Sequence, residues 1–250
     1  MKRGLLIIDR GSREPEAREE LEEIAADVKR KGGYHYCRYC FLEVIPPFIK
    51  EGITQATSDG IESLTIVPYF LYSGKKVKAA VTDAMQLQAT TGVKFLVTRS
   101  MSKHETMIGL VRNRVASAMK AEGISAADGE VDVLIIGHGS MDPNARMAID
   151  YVTDGLRSQY RNVSYCFLEI EKPDIADGVA RCRRDEPKIL VIVFYFLHEG
   201  AHVKRDIYED LNPALAGGGL GRVMITRHIG ADPMMVDLIL ERAAEVEDAD

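Results

Sequence analysis

The chain is written twice. "LLIIDRGSR" at 5–13 returns as "LIIGHGSMD" at 134–142, "CFLE" at 40–43 returns at 166–169, and "YFLYSGKKVK" at 69–78 returns as "YFLHEGAHVK" at 195–204. "VTRS" at 97–100 faces "ITRH" at 225–228, with "GGGLG" at 217–221 as the loop that absorbs the change of register. Copies of about 125 residues are long enough to close a core each, so the expected organisation is two tandem units, 1–125 and 126–250. They meet in the polar, glycine-bearing "EGISAADGE" of 122–130.

Within each copy, strands and helices alternate. "LLIID" and "VDVLIIG" are apolar, branched runs of strand length. The segment after the first of them places Ala17, Leu21, Ile24, Ala25 and Val28 on one helical stripe, with Pro15 suited to its first turn and Gly32-Gly33 to its end. In the second copy Asp142-Pro143 reads as an N-cap followed by proline at the first helical position. Further strands are expected at 35–42, 62–71 and 93–99, and at 162–169, 188–197 and 222–228. Unbroken apolar runs such as "ILVIVFYFL" indicate parallel strands covered on both faces. The fold class is therefore α/β: two flavodoxin-like domains, each a doubly wound parallel sheet of about four strands, related by internal duplication.

That winding gives the polar residues a place. In spatial order 2-1-3-4 strands 1 and 3 are neighbours, and ligands bind beyond their carboxyl ends. In the second copy His138 follows strand 1, His202 lies on the loop past strand 3, and Glu169 closes strand 2. Neighbouring strands are about 4.8 Å apart, so two imidazoles and a carboxylate converge on one small object, for which a divalent metal is the natural candidate. The first copy keeps the carboxylate as Glu43 but holds Arg10 and Lys76 where the histidines stand. A neutral imidazole binds a borderline metal or accepts a proton; arginine does neither, since it stays protonated with no lone pair.

The repeated "GHGS", "FLE…P" and "FL..G.HV..D" pattern resembles the class II chelatases of the sirohydrochlorin type, the cobalto- and ferrochelatases of cobalamin and siroheme synthesis, in their long two-domain form. The resemblance covers nearly the whole chain. It implies ATP-independent insertion of Co²⁺ or Fe²⁺, with Ni²⁺ also compatible, into a tetrapyrrole held between the two domains. The metal is then a substrate, and no tightly bound cofactor is expected. Carried over by motif, His138 and His202 match the metal-binding and proton-accepting histidines, and Glu169 matches the carboxylate of "FLE". Because sirohydrochlorin carries many carboxylates, Arg10, Lys75, Lys76 and Lys78 would form a cationic wall for it. Ser12 and Ser140 are substrate contacts or loop caps, Glu169 is a catalytic group or a brace, its counterpart Glu43 is grouped with the substrate contacts, and His198 either serves the metal and substrate site or packs.

Other classes are weaker. A metal or tetrapyrrole carrier would share the residues without turnover, and a nucleotide or flavin module would need a glycine fingerprint that neither loop contains. The balance of 38 acidic against 32 basic residues, net −6, is the wrong sign for general binding of nucleic acid. No apolar run suggests a signal peptide or a membrane span, so a cytoplasmic protein is expected, as a monomer or small homo-oligomer. "CRYC" at 37–40 has the spacing of a metal or redox pair, but it stands alone and Cys40 aligns with Cys166 on an expected buried strand.

Overall fold

The computed structural model describes residues 2–249 apart from Ser73 and Glu199; of Asp128, Asn144, Ala201, His202, Val203 and Lys204 it describes the backbone alone. In the first copy β1 (Arg3–Asp9), α1 (Pro15–Gly32), β2 (Tyr36–Phe41), α2 (Ile49–Ser58), β3 (Ser63–Pro68), α3 (Lys75–Thr91), β4 (Lys94–Val97) and α4 (Glu105–Ala121) alternate. The second copy repeats them as β5 (Val131–Gly137), α5 (Pro143–Leu156), β6 (Asn162–Phe167), α6 (Ile175–Arg184), β7 (Ile189–Phe194), α7 (Ala201–Leu215), β8 (Arg222–Ile225) and α8 (Pro233–Glu247). The sheets run β2-β1-β3-β4 and β6-β5-β7-β8, parallel throughout, which is the expected winding.

The cores are copies of one another. Leu6, Ile8, Cys40, Ile49, Ile53, Leu64, Ile66 and Phe70 build the first. Leu134, Ile136, Cys166, Ile175, Val179, Leu190, Ile192 and Phe196 build the second in the same order. Each large aliphatic or aromatic side chain taken from water stabilises by about 1.5–3 kcal/mol. The cysteines belong to this packing. A Cβ on Gly52 or Gly178 would lie 2.7 Å from the Cβ of Cys40 or Cys166, so helix and strand meet where both residues are small. Burial pushes the Cys37 thiol up to about 12 and the Cys40 and Cys166 thiols higher still, and all four cysteines are free and buried. The "CRYC" pair is core.

Helix α1 buries the stripe read from the sequence and stops at Gly33, whose φ of 65° is the left-handed cap that glycine takes readily. The expected strands run on too far at their carboxyl ends. β3 stops at Pro68 and β7 at Phe194, yet Tyr69, Phe70, Tyr195 and Phe196 stay buried. Their backbone leaves the ladder for loop bonds, such as Met101 N–H to the Phe70 carbonyl and Ile229 N–H to that of Phe196. Apolarity reports burial, and here burial outlasts the strand.

The compact units are not the sequence repeats. One comprises Met1–Ser102 with Gly230–Asp250, the other Lys103–Ile229. Thus α8 packs beside α1 and over β3 and β4, while α4 packs beside α5 and over β7 and β8. In the first unit the buried Arg242 of α8 donates from Nη2 to the Ser102 carbonyl at 3.0 Å and from Nη1 to Glu245 at 2.8 Å. Glu247 at the end of α8 accepts from Arg3 at 2.6 Å and from the Tyr34 hydroxyl at 2.9 Å. In the second unit Arg114 of α4 donates to the carbonyls of His228 and Ile229, at 3.2 and 2.5 Å.

Candidate active site

β5 and β6 pair in register to Gly137 and Phe167, and the bonding continues past the strands: Leu168 N–H reaches the Gly137 carbonyl and Glu169 N–H that of His138, at 2.9 and 3.1 Å. This stitching places His138 and Glu169 side by side. Nε2 of the imidazole lies 3.2 Å from Glu169 Oε1, and Nδ1 lies 3.3 Å from the Gly139 carbonyl. Gly139 cannot be replaced cheaply. Its φ is 92°, and a Cβ there would fall 2.0 Å from the Glu169 carbonyl oxygen. Phe196, from the loop after β7, meets the imidazole edge-on with ring centroids 6.5 Å apart.

In the tautomer that gives Nδ1–H to the Gly139 carbonyl, Nε2 presents its lone pair to a carboxylate oxygen. Two lone pairs at 3.2 Å need a cation between them, a proton or a metal. Metal bonds of about 2.0–2.2 Å set adjacent ligands roughly 3.0–3.5 Å apart, so the separation already suits both. Among the described residues no group of three or more His, Cys, Asp and Glu is placed to hold a metal. The side chain of His202 lies outside the described residues, but its backbone corrects one expectation: His202 stands in the first turn of α7, not on the preceding loop. His198 lies on the loop between β7 and α7 and is half-buried.

The first copy closes the same geometry with charge. Arg10 Nε donates to Glu43 Oε1 at 3.0 Å and Lys76 Nζ to Oε2 at 2.6 Å. Lys75 and Lys76 open α3. The hydrogen bond from Lys76 is the largest influence on the Glu43 carboxyl; desolvation opposes it, and the hydrogen bond from Arg10 with the charges of both cations keeps the carboxyl below its ordinary value. Two fixed cations therefore occupy the surroundings of Glu43 where Glu169 has an imidazole. Ser12 and Ser140 do the same job in both copies: each hydroxyl accepts a backbone N–H two residues on, from Glu14 and Asp142, at 3.1 Å. That is a loop-building role, shared by a copy with the histidine and a copy without.

One residue escaped the sequence reading. Glu171 Oε2 accepts the amide of Ser140 at 2.9 Å, and Oε1 lies 3.2 Å from Arg146 Nε. Arg146 in turn donates to the Lys172 carbonyl at 2.5 Å and lies over the Phe167 ring. Glu171 thus ties the His138 loop to the loop that carries Glu169. The first copy keeps the arginine contact, Arg18 to the Pro46 carbonyl at 3.1 Å, but has Ile45 in place of the glutamate. The signal was present in the sequence: "EKP" at 171–173 stands against "IPP" at 45–47, a second departure between copies beside Arg10 and His138.

The CbiX family model matches residues 4–118 and again 132–246. The chain belongs to the CbiX family. Its duplication is that of a whole CbiX unit. A sirohydrochlorin cobaltochelatase from Priestia megaterium is 25% identical, over 97% of this chain and 79% of that protein. A sirohydrochlorin ferrochelatase of the same organism is 22% identical over 83% and 77%. Among solved structures, SirB from Bacillus subtilis with Fe³⁺ superposes with a TM-score of 0.84 at 22% identity, covering 98% of this chain and 95% of that one. SirB from the subspecies spizizenii in complex with cobalt gives 0.78 at 18%, over 99% and 97%. The tandem doubly wound architecture is that of these proteins.

Proposed function

We propose that the chain inserts a divalent metal, Co²⁺ or Fe²⁺, into sirohydrochlorin or a closely related anionic tetrapyrrole, using the second copy for the chemistry. The observation that carries this reading is the opposed pair His138 Nε2 and Glu169 Oε1 at 3.2 Å, in a CbiX family member whose other copy has the equivalent carboxylate neutralised by Arg10 and Lys76. Membership in a family whose named relatives act on sirohydrochlorin supplies the substrate class.

The reaction must desolvate the ion, remove two pyrrole N–H protons and bring metal and ring together. His138 and Glu169 offer lone pairs for the first two tasks, and His202, opening α7, is the third group assigned to them. When the imidazole takes a proton, the adjacent carboxylate balances the new charge, which lowers the barrier to proton removal. Arg10 and Lys76 take the substrate's carboxylates. Arg10 spends one of its five donors on Glu43 and is more than half exposed, so the remainder can reach a ligand. Lys75 and Ser12 are assigned to substrate binding in the first copy, and Ser140 and His198 in the second.

Histidine and carboxylate ligands suit cobalt, iron and nickel alike, so metal choice is a question for assay. Purified protein is incubated anaerobically with sirohydrochlorin and each ion in turn, and the ring's absorbance is followed. Many turnovers per chain are expected with cobalt or iron. Binding that stops at one equivalent, with no metallated product released, would make the protein a carrier.

A further inference from the structure

Glu43 and Glu169 are each followed by a branched aliphatic residue in the left-handed backbone region: Val44 at φ 77° and Ile170 at φ 70°. The next amide bonds back over each of them, Ile45 N–H to the Glu43 carbonyl at 3.0 Å and Glu171 N–H to the Glu169 carbonyl at 2.8 Å. A bond from residue i+2 to i around a residue of positive φ is the rare, strained form of the γ-turn. Glycine or asparagine would enter it with less strain, and a β-branched residue is among the worst choices.

Neither side chain compensates by filling the core, because Val44 is 45% exposed and Ile170 57%. A residue that strains the backbone and leaves about half of its aliphatic surface in solvent is held for what it presents outward. In the second copy the turn sits between the two interactions that build the site: Glu169 meets His138 on one side of Ile170, and Glu171 holds the Ser140 amide on the other. Met141, one residue further along that loop, is 82% exposed.

We propose that Ile170 is a substrate-contact residue, an aliphatic rest for the face of the tetrapyrrole beside the Glu169 carboxylate. This rests on the chelatase reading above. A tetrapyrrole carries its charge at the rim and an apolar π surface in the middle, whereas the protons to be removed lie on the central nitrogens. Carboxylates and cations can hold the rim, but the middle needs an apolar contact that sets how closely ring and carboxylate approach. Ile170 supplies that contact at the residue next to the proton acceptor, and Val44 is its counterpart beside the neutralised Glu43.

The test separates this role from a structural one by sign. Ile170→Gly and Ile170→Asn both relieve the strained turn and remove the aliphatic surface; Ile170→Val keeps the surface. For each, the thermal midpoint, the Kd for metal-free sirohydrochlorin by absorbance titration, and the Kd for Co²⁺ alone are measured. The glycine and asparagine variants are expected to melt no lower than wild type, to bind the tetrapyrrole roughly tenfold more weakly, and to bind Co²⁺ unchanged. The valine variant should stay within about twofold of wild type for the tetrapyrrole. Tetrapyrrole affinity unchanged in both turn-relieving variants, or lost only in step with a lowered midpoint, overturns the proposal. Wild-type protein that neither binds nor metallates sirohydrochlorin would instead defeat the chelatase reading and take this one with it.

Discussion

At the level of single residues, the two copies differ where charge is handled. Glu43 is held by two cations and Glu169 by an imidazole, so the same carboxylate is quenched in one copy and poised in the other. If Arg10 and Lys76 hold substrate carboxylates, Glu43 competes with the substrate for them. Glu43→Gln should then tighten sirohydrochlorin binding, while Arg10→Ala weakens it about tenfold, as loss of a charge-assisted contact of about 1.5–3 kcal/mol requires. Titration of Kd for both variants checks this, and changes of the same sign would remove the cations from substrate binding. Lowering the pH is no substitute for the Gln variant. The depressed Glu43 carboxyl keeps its ion pairs to lower pH than a free glutamate would; their stabilising contribution is complete above the unfolded glutamate value and is lost as pH falls through the lower folded one. His138→Ala should cut metallation by about 10²–10⁴ with the thermal midpoint nearly kept. Glu171→Gln, which retains an acceptor for the Ser140 amide, should stay near wild type in kcat, whereas Glu171→Ala loosens the His138 loop and should lower kcat more than it changes KM for either substrate. Equal effects of the two Glu171 substitutions would show that its charge matters rather than its hold on the loop. His138 and Glu169 were legible because the motif recurs with a histidine in only one copy. Glu171 stood out only as a departure from Ile45 of the other copy; its role was not legible, because its partner is a backbone amide 31 residues earlier in the chain, and side-chain to backbone bonds leave no pattern in spacing.

Among the elements, α1 was legible as a buried stripe and the other helices as the segments that follow each strand, but none by destination. α4 turns Met107, Ile108, Leu110, Val111, Arg114 and Val115 inward, and α8 does so with Met235, Val236, Leu238, Ile239, Arg242 and Ala243. An amphipathic stripe says that a face is buried and says nothing of which sheet covers it. Since the sheets are copies, each offers α4 and α8 almost the same docking surface, and no hydrophobic pattern distinguishes a helix kept within its repeat from one given to the other unit. The polar contacts do. Arg242 reaches the Ser102 carbonyl, and Arg114 the carbonyls of 228 and 229, so each buried guanidinium ties its helix to the segment that leaves the last strand of its sheet. Arg242→Ala removes the guanidinium that reaches that carbonyl, leaves Glu245 with Arg99 as its remaining cation and opens a cavity beneath α8; a loss of about 2–4 kcal/mol is expected in urea unfolding. Arg242→Met fills the volume without the hydrogen bonds and should lose less. A shift below about 0.5 kcal/mol in the alanine variant would mean that α8 is held by its apolar face alone.

Over the whole chain, the exchange decides which pieces can exist alone. The sequence repeat 126–250 and the compact unit Lys103–Ile229 share both the strands β5–β8 and the residues assigned to chemistry, His138, Glu169 and His202, and differ by one helix at each end. The unit Lys103–Ile229 is contiguous and carries α4, which covers β7 and β8 and lies beside α5. The repeat 126–250 lacks that cover and carries α8, whose partners in the full chain, α1, β3, β4 and the Ser102 carbonyl, are all absent from it. Expressed as fragments, 103–229 should give a single cooperative thermal transition, because the sheet β5–β8 and the helices α4 to α7 that pack on it all belong to that piece. The fragment 126–250 should bind a hydrophobic dye, unfold without a sharp transition and tend to aggregate, as a sheet with one uncovered face does. The folded fragment then isolates the chemistry: Co²⁺ should bind 103–229 with the affinity of the full chain, and His138→Ala within it should abolish that binding. Cooperative unfolding of 126–250 with disorder in 103–229 would show that the repeat is also the folding unit and that α4 and α8 contribute little to either sheet. A well-folded 103–229 that fails to take up Co²⁺ would mean instead that residues of Met1–Ser102 or Gly230–Asp250 complete the metal site, and that the second copy does not act alone.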